Sequence, residues 1–147
     1  IRLSRHYLPQ MLEQNWGRII FISSESGIQI PAEMVHYGTT KTAQLGVSRG
    51  LAQQTAGTNV TVNTVIPGST RSEGSEKFID DLAQEKKLSK EEVEQEFFDK
   101  VRPTSLLERF ATTDEVATFV TYLSSPLAAA NNGAALRVDG GTIPTIL

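Results

Sequence analysis

The chain of 147 residues contains no cysteine, so disulfides, thiolate metal sites and cysteine nucleophiles are all excluded. It has two histidines, His6 and His36, and no cluster of histidines and carboxylates has the spacing of a metal site. With so few histidines, a Ser-His-Asp triad is also difficult to build. We therefore predict no metal site, and we predict a cytoplasmic protein because a chain without cysteine fits a reducing compartment.

The sequence also lacks an excess of basic residues and any long apolar run. Its 14 lysines and arginines are mixed with 17 aspartates and glutamates, whereas a nucleic-acid-binding face requires clustered basic charge. No apolar run approaches the roughly 20 residues that cross a membrane, and no signal-peptide pattern is present. We therefore expect neither a nucleic acid nor a membrane as a partner, and the length indicates one domain.

Short apolar runs alternate with helical patterns along the chain. Strands are predicted at residues 18–23, 60–66 and 134–138, and long helices at residues 1–14 and 35–56. This alternation is typical of parallel βαβ units joined by right-handed crossovers, so we predict an α/β fold. Ligands of such sheets bind beyond the carboxyl ends of the strands. Because the first apolar run is nearly continuous, we expect its strand to be buried on both faces.

Residues 73–102 form a polar, charge-rich segment that we expect to hold one or two short helices. Within it, Ser89 and Glu92 have the spacing of a capping box, which predicts a helix start. Thr112 and Glu115 repeat that spacing ahead of an apolar helical stripe. Three phenylalanines of the segment are expected to hold its helices together rather than to line a pocket: Phe78, Phe97 and Phe98.

Tyr37, Lys41 and Ser24 form the most informative pattern in the chain. Tyr37 and Lys41 stand four residues apart, so a helix presents both on one face. Ser24 stands thirteen residues before Tyr37, at the end of a predicted strand. A nearby ammonium favours the phenolate form of a tyrosine, which can then exchange a proton with an alcohol or a carbonyl. A serine hydroxyl can hold the same oxygen by a hydrogen bond.

The Tyr-x-x-x-Lys spacing alone is a weak signal, because an exposed aromatic beside a solvated lysine gives the same pattern. Ser24 at a strand end, together with turns at residues 67–68 and 139–141 after two further strands, favours a site at one edge of the sheet. A hydrolase is disfavoured because the Gly-x-Ser-x-Gly motif is absent: Ile22 and Ser23 occupy the places that a leading glycine would take.

Several segments, in order, resemble the C-terminal part of a classical short-chain dehydrogenase/reductase: GRIIFISSESG, the interval from Ser24 to Tyr37, YGTTK, NVTVNTVIPG and LRVDGG. The resemblance implies Tyr37 as the general acid/base and Ser24 as the donor that polarises a carbonyl. Lys41 is implied to favour the phenolate and to hold the nicotinamide ribose. The implied fold of residues 1–147 is a partial Rossmann-like, doubly wound parallel sheet, with the last three strands and their helices and without the N-terminal strands.

The same resemblance implies NAD or NADP as the cofactor. It does not choose between them, because the family residues that distinguish the two precede the matching part. Tyr37 and Lys41 are joined in the implied cofactor site by four residues that follow the second strand: Pro67, Gly68, Thr70 and Ser72. Family members usually carry a threonine five residues after the proline, and here Ser72 keeps the hydroxyl without the methyl group.

The resemblance has further implications for partners. Residues 73–102 match the family's variable substrate lid, which would close over a small alcohol or carbonyl substrate. The helices at residues 1–14 and 35–56 are expected to form a homo-oligomer. Because the chain begins at Ile1 within a helical pattern and has no glycine-rich phosphate-binding turn, we expect a dinucleotide-binding half upstream. We expect the chain alone to bind dinucleotide poorly and to associate through the open edge of its first strand.

Three functions stay open at this level. The leading hypothesis is an oxidoreductase that interconverts an alcohol and a carbonyl by hydride transfer with a nicotinamide cofactor, with Tyr37 as general acid/base. The second is a truncated, non-catalytic fragment or interaction module that lacks the dinucleotide-binding half. The third is an isomerase or lyase that uses the same tyrosine and lysine.

Overall fold

The computed structural model describes residues 1–146. Helices and strands alternate along the chain in this order: α1 Arg2–Glu13, β1 Gly17–Ile22, α2 Val35–Gln53, β2 Val60–Pro67, β3 Thr70–Arg71, α3 Glu73–Lys86, α4 Lys90–Lys100, β4 Ala111–Thr112, α5 Thr113–Ser124 and β5 Ala135–Val138. Short 3-10 turns lie at Glu25–Gly27, Ala32–Met34 and Pro126–Ala128. Within residues 1–146, no helix combines the length and the apolar character needed to cross a membrane.

The main sheet has three parallel strands in the order β1-β2-β5. Gly17 pairs with Val60 at one end of β1, and Ile22 pairs with Val65 at the other. Pro67 at the end of β2 lies opposite Val138 of β5, so the carboxyl ends of all three strands meet at one edge. The predicted α/β class and the partial, Rossmann-like parallel sheet are therefore confirmed.

The central strand β2 forms the middle of the core. Its β-branched side chains Val60, Val62, Val65 and Ile66 are fully buried. Val65 packs in one cluster with Leu123 of α5, which covers that face of the sheet. Each Å² of apolar area removed from water contributes about 25 cal/mol to the free energy of folding. The burial of these side chains therefore stabilises the sheet.

Strand β1 differs from its prediction. Its residues are mostly half-buried and Ile22 is 44% exposed, so the expected burial on both faces is wrong. The reason is position: among the described residues β1 pairs with β2 alone, and its other edge is open. After α1, Asn15 adopts the left-handed conformation with φ 51°. Gly17 follows where the chain passes close to α1, because a Cβ there would lie 2.5 Å from Met11 Cγ.

Residues 73–102 form two helices, α3 and α4, which share a core of their own. Val93 and Phe98 are buried there with Ile79 and Phe110, and Phe97 packs against them. Phe97 and Phe98 hold the helices together as expected, whereas Phe78 is 49% exposed. We call this unit the helical excursion.

The capping boxes predicted from sequence are both confirmed. Ser89 Oγ accepts the amide of Glu92 and the Glu92 carboxylate accepts the amide of Ser89. Thr112 and Glu115 make the same pair of hydrogen bonds at the start of α5. A feature without a sequence signal is the second small sheet, in which β3 pairs with β4 in parallel. It closes the base of the helical excursion beside the end of β2.

Candidate functional site

The carboxyl ends of β1 and β2 border an open cleft of about 460 Å³. Its far wall is apolar and belongs to α5, which contributes Val116, Ala117 and Val120. Six of the seven site residues predicted from the sequence line this cleft: Ser24, Tyr37, Lys41, Pro67, Gly68 and Thr70. The edge of the sheet therefore brings together side chains from three separate segments, as expected for parallel strands.

Tyr37 and Lys41 are presented by the first turns of α2. The Nζ of Lys41 lies 5.5 Å from the centroid of the Tyr37 ring, over the ring face. It also donates a hydrogen bond to the carbonyl oxygen of Ile22 at 3.0 Å. One ammonium thus joins the start of α2 to the end of β1 and places a positive charge beside the phenol.

Ser24 lies immediately after β1 in extended backbone, with φ −164° and ψ 156°. Its Oγ accepts the amide of Ser26 at 3.1 Å and so caps the 3-10 turn Glu25–Gly27. The hydroxyl donates to Glu25 Oε2 at 3.2 Å. The serine is therefore held on two sides by its own loop while it borders the cleft.

We call residues 23–27, which include Ser24, the serine loop. It is held against α2 by close contacts that sequence reasoning missed. Ser23 Oγ donates to the carbonyl oxygen of Lys41 at 2.9 Å, and Thr42 Oγ1 donates to the carbonyl oxygen of Gly27 at 2.7 Å. Gly38 completes the fit, because a Cβ there would lie 2.8 Å from the carbonyl oxygen of Ser26. The glycine inside a helical pattern near Tyr37 was the signal that could have found this contact.

The turn after β2 is set by the neighbouring strand β5. Gly68 donates its amide to the carbonyl oxygen of Val138 at 3.1 Å, and a Cβ at Gly68 would lie 2.6 Å from the carbonyl oxygen of Asp139. Thr70 follows, and its Oγ1 donates to the carbonyl oxygen of Gly68 at 3.0 Å. The backbone of the turn and the Thr70 hydroxyl therefore form a fixed wall of the cleft.

Ser72, the seventh predicted site residue, lies outside the set of cleft-lining residues. It caps α3: its Oγ accepts the amide of Ser75 at 3.4 Å and its own amide donates to Ser75 Oγ at 2.7 Å. Sequence reasoning did not anticipate this capping box. A cofactor contact by Ser72 stays a prediction.

A buried ion pair next to Ser24 was also missed. Arg102, just after α4, donates from Nε to Glu25 Oε1 at 2.8 Å, with side chains 14% and 6% exposed. The two residues are 77 positions apart, so no local pattern announces the contact. The pair connects the serine loop to the end of the helical excursion.

Two surface carboxylates have lowered pKa values. Hydrogen bonds from Lys100 and Lys86 lower the pKa of Glu96 to about 2. Hydrogen bonds from Arg109 and the Thr112 amide lower the pKa of Glu115 to about 2. Within residues 1–146, no group of histidines and carboxylates is arranged to hold a metal ion.

Comparison with known proteins gives consistent matches along the chain. A family model described as enoyl-(acyl carrier protein) reductase matches residues 1–142. The chain is 51% identical to the uncharacterized oxidoreductase YvaG of Bacillus subtilis over 146 residues, which are 99% of this chain and 55% of YvaG. It is 44% identical to the uncharacterized oxidoreductase YvrD of the same organism over 146 residues, 99% of this chain and 56% of YvrD.

Among solved structures, the fold is similar to that of L-sorbose reductase from Gluconobacter frateurii, which was determined in complex with NADPH and L-sorbose. The TM-score is 0.89 at 29% sequence identity, and the match covers 99% of this chain and 54% of that protein. The chain thus spans about half the length of the curated relatives that it matches.

Proposed function

The chain belongs to the short-chain dehydrogenase/reductase family, and on this premise we propose that it carries the proton-transfer site of an oxidoreductase that interconverts an alcohol and a carbonyl. The observation that carries the proposal is the joint position of Tyr37, Lys41 and Ser24 along one cleft at the carboxyl ends of β1 and β2. These are the groups that a reaction at a substrate oxygen requires: a proton carrier, a cation and a hydrogen-bond donor.

The lining of the cleft fits a nicotinamide nucleoside. The apolar wall of Val116 and Val120 suits an aromatic ring, and the facing side offers the ammonium of Lys41 and the hydroxyl of Thr70 to polar groups. The proposed cofactor is NAD or NADP, held by Tyr37, Lys41 and four residues at and beyond the end of β2: Pro67, Gly68, Thr70 and Ser72. When bound, the nicotinamide supplies or accepts the hydride.

In the direction of reduction, Tyr37 gives its phenolic proton to the oxygen of the substrate while the carbonyl carbon gains a hydride. In the direction of oxidation, the Tyr37 phenolate takes the proton of the alcohol. Lys41 supports either step because its Nζ, 5.5 Å from the ring centroid, would oppose negative charge that develops at the reacting oxygens. Ser24 borders the same cleft, and its hydroxyl would hold the substrate oxygen during proton transfer.

The helical excursion is proposed as the substrate lid of this site. The chain enters it through β3, which follows the Pro67-Gly68 turn, and returns through β4 to α5. The Pro67-Gly68 turn and α5 both border the cleft. Its end at Arg102 reaches the serine loop. A small alcohol or carbonyl compound is the proposed substrate class.

A homo-oligomer is proposed through α1 and α2. Leu3 of α1 is 73% exposed and Tyr7 is 48% exposed. On α2, a Cβ added to Gly46 or Gly50 would meet no atom within 4 Å. Exposed apolar side chains on α1 and small, open positions on α2 favour close packing with a second copy.

A second candidate is a non-catalytic fragment or interaction module. The observation that favours it is that these 147 residues contain no glycine-rich phosphate-binding turn. Fluorescence titration of the natural gene product with NADH and NADPH separates the two candidates. Saturable binding of either nucleotide supports an active site, and absence of binding to both supports the fragment.

The proposed function is tested on the natural gene product that carries this sequence. Reduced nicotinamide is followed by its absorbance during incubation with a panel of small ketones and aldehydes. Oxidation of one nicotinamide for each carbonyl reduced is the expected result. Product formation without a net change in nicotinamide absorbance would identify an isomerase or lyase instead.

A further inference from the structure

The carboxylate of Glu25 is buried, and its interactions converge on the serine loop. The residue is 5% exposed. Its Oε2 accepts hydrogen bonds from Ser24 Oγ at 3.2 Å and from Ser26 Oγ, and its Oε1 accepts the Nε of Arg102 at 2.8 Å. A buried carboxylate is costly unless it is paired and hydrogen-bonded, and here Arg102 and the two hydroxyls meet that requirement.

Arg102 is itself fixed relative to α4. Its amide donates to the carbonyl oxygen of Phe97 at 3.0 Å, and its Nη1 donates to the carbonyl oxygen of Val101 at 2.9 Å. The guanidinium carbon lies 5.9 Å from the centroid of the Phe97 ring. The position of the Glu25 carboxylate is therefore determined by the end of the helical excursion as well as by its own loop.

These contacts dictate which way the Ser24 hydroxyl points. One lone pair of Oγ is used by the amide of Ser26 and the hydrogen is directed at Glu25. A hydroxyl has one hydrogen and two lone pairs, so these two contacts leave one lone pair of Ser24 Oγ unused. To donate to a carbonyl oxygen, the hydrogen must rotate from Glu25 towards the cleft, while Ser26 Oγ stays on the carboxylate.

We propose that Glu25 is a positioning residue that fixes the place of the Ser24 oxygen at the cleft, so that its hydrogen can turn from the carboxylate to a substrate oxygen, with Arg102 holding the Glu25 carboxylate in place. This inference rests on the proposed function, because it assigns Glu25 an effect on the substrate through Ser24. It goes beyond that function in linking the proposed lid to the catalytic serine through one buried ion pair.

The test is a double-mutant cycle of Ser24→Ala and Glu25→Ala in the natural gene product, assayed as above. Glu25→Ala alone is expected to lower kcat about 10- to 100-fold with little change in KM, since misplacing a catalytic group affects the chemical step. In the Ser24→Ala background, Glu25→Ala is expected to lower kcat by less than a further factor of about two, because the group that Glu25 positions is absent. Fully additive losses would overturn the proposal.

Conservative variants separate positioning from folding. Glu25→Gln keeps the side-chain shape and one oxygen that can accept the Ser24 hydrogen, so it is expected to recover part of the kcat lost in Glu25→Ala. The matched control is Glu13→Gln, which removes an exposed carboxylate of α1 outside the set of cleft-lining residues and is expected to leave kcat unchanged. If Glu25→Ala does not fold, Glu25→Gln and Arg102→Lys each replace it in a double-mutant cycle with Ser24→Ala. Fully additive losses of kcat in both cycles would overturn the proposal.

Hydrogen exchange tests the same contacts without turnover. In Glu25→Gln, the amides of Ser26 and Arg102 are expected to exchange faster, because they report the Ser24 hydrogen bond and the turn that ends α4. Amides of α5 serve as the internal reference. Unchanged exchange at both amides would overturn the proposal even if the protein had no redox activity. Absence of redox activity with faster exchange would instead count against the proposed function alone.

Discussion

The Nζ of Lys41 lies 5.5 Å from the centroid of the Tyr37 ring. The same ammonium is held by the carbonyl oxygen of Ile22 at 3.0 Å. The lysine is thus fixed between the last residue of β1 and the phenol at the start of α2. This arrangement is the geometric reason to treat the tyrosine as a proton carrier rather than as an isolated half-buried aromatic.

Lys41→Met is expected to lower turnover by about 10²- to 10⁴-fold, the range that general acid–base catalysis contributes, because the phenolate loses its neighbouring cation. It is also expected to weaken nicotinamide binding. The measurements are kcat and the dissociation constant of NADPH or NADH. Arg5→Met is the control, since it removes one positive charge from the exposed face of α1. Equal activities of the two variants would contradict the role of Lys41.

Two helical glycines provide a matched test of how the serine loop is held. A Cβ at Gly38 would lie 2.5 Å from Ile30 Cγ2 and 2.8 Å from the carbonyl oxygen of Ser26, so Gly38→Ala is expected to destabilise the protein by about 1–3 kcal/mol. The control is Gly74 of α3, where the nearest atom to an added Cβ is Ser72 Oγ at 3.9 Å, so Gly74→Ala is expected to stabilise the protein by about 0.5–1 kcal/mol. Urea unfolding measures both, and changes of the same sign would contradict the packing described.

Stability should depend on pH through Glu115. Its hydrogen bonds with Arg109 and the Thr112 amide lower its pKa from 4.5 to about 2. A carboxylate with a lowered pKa in the folded state stabilises the protein above its unfolded pKa, and that contribution is lost as the pH falls through the folded pKa. Glu115→Gln is therefore expected to destabilise the protein near neutral pH and progressively less as the pH falls from 4.5 towards about 2.

Urea unfolding of the Glu115→Gln variant at several pH values checks this expectation. Glu85→Gln, which removes an exposed carboxylate of α3, is the control for the change in net charge alone. A destabilisation by Glu115→Gln that stays constant across the acidic range would show that the carboxylate charge is not responsible.

Sequence reasoning succeeded where the determinants are local. The capping boxes at Ser89 and Thr112 depend on two residues three positions apart, and both form as predicted. Tyr37 and Lys41 meet because a helix places residues four apart on one face. The strand-end rule then predicted that Ser24 would border the same cleft, and it does.

Sequence reasoning failed where a contact joins distant segments. Strands β3 and β4 contain two residues each, too few for a periodic pattern, and they form because the two ends of the helical excursion return to the same place. The Glu25–Arg102 pair spans 77 positions, and neither residue has a local partner that would predict it. The exposure of β1 depends on its place in the strand order, which its apolar composition does not encode.

The central claim is that Tyr37 carries the proton of a redox reaction, and removing its hydroxyl tests this most directly. Tyr37→Phe keeps the ring and removes only the hydroxyl. The matched control is Tyr122→Phe, which removes a hydroxyl of α5 that donates to Asn131 Oδ1. The measurements, in the natural gene product, are the turnover of reduced nicotinamide and the dissociation constant of the cofactor.

Tyr37→Phe is predicted to lower turnover by at least about 10²-fold while cofactor affinity stays close to that of the parent, and Tyr122→Phe is predicted to match the parent in both. Turnover by Tyr37→Phe at the parent rate would contradict the account.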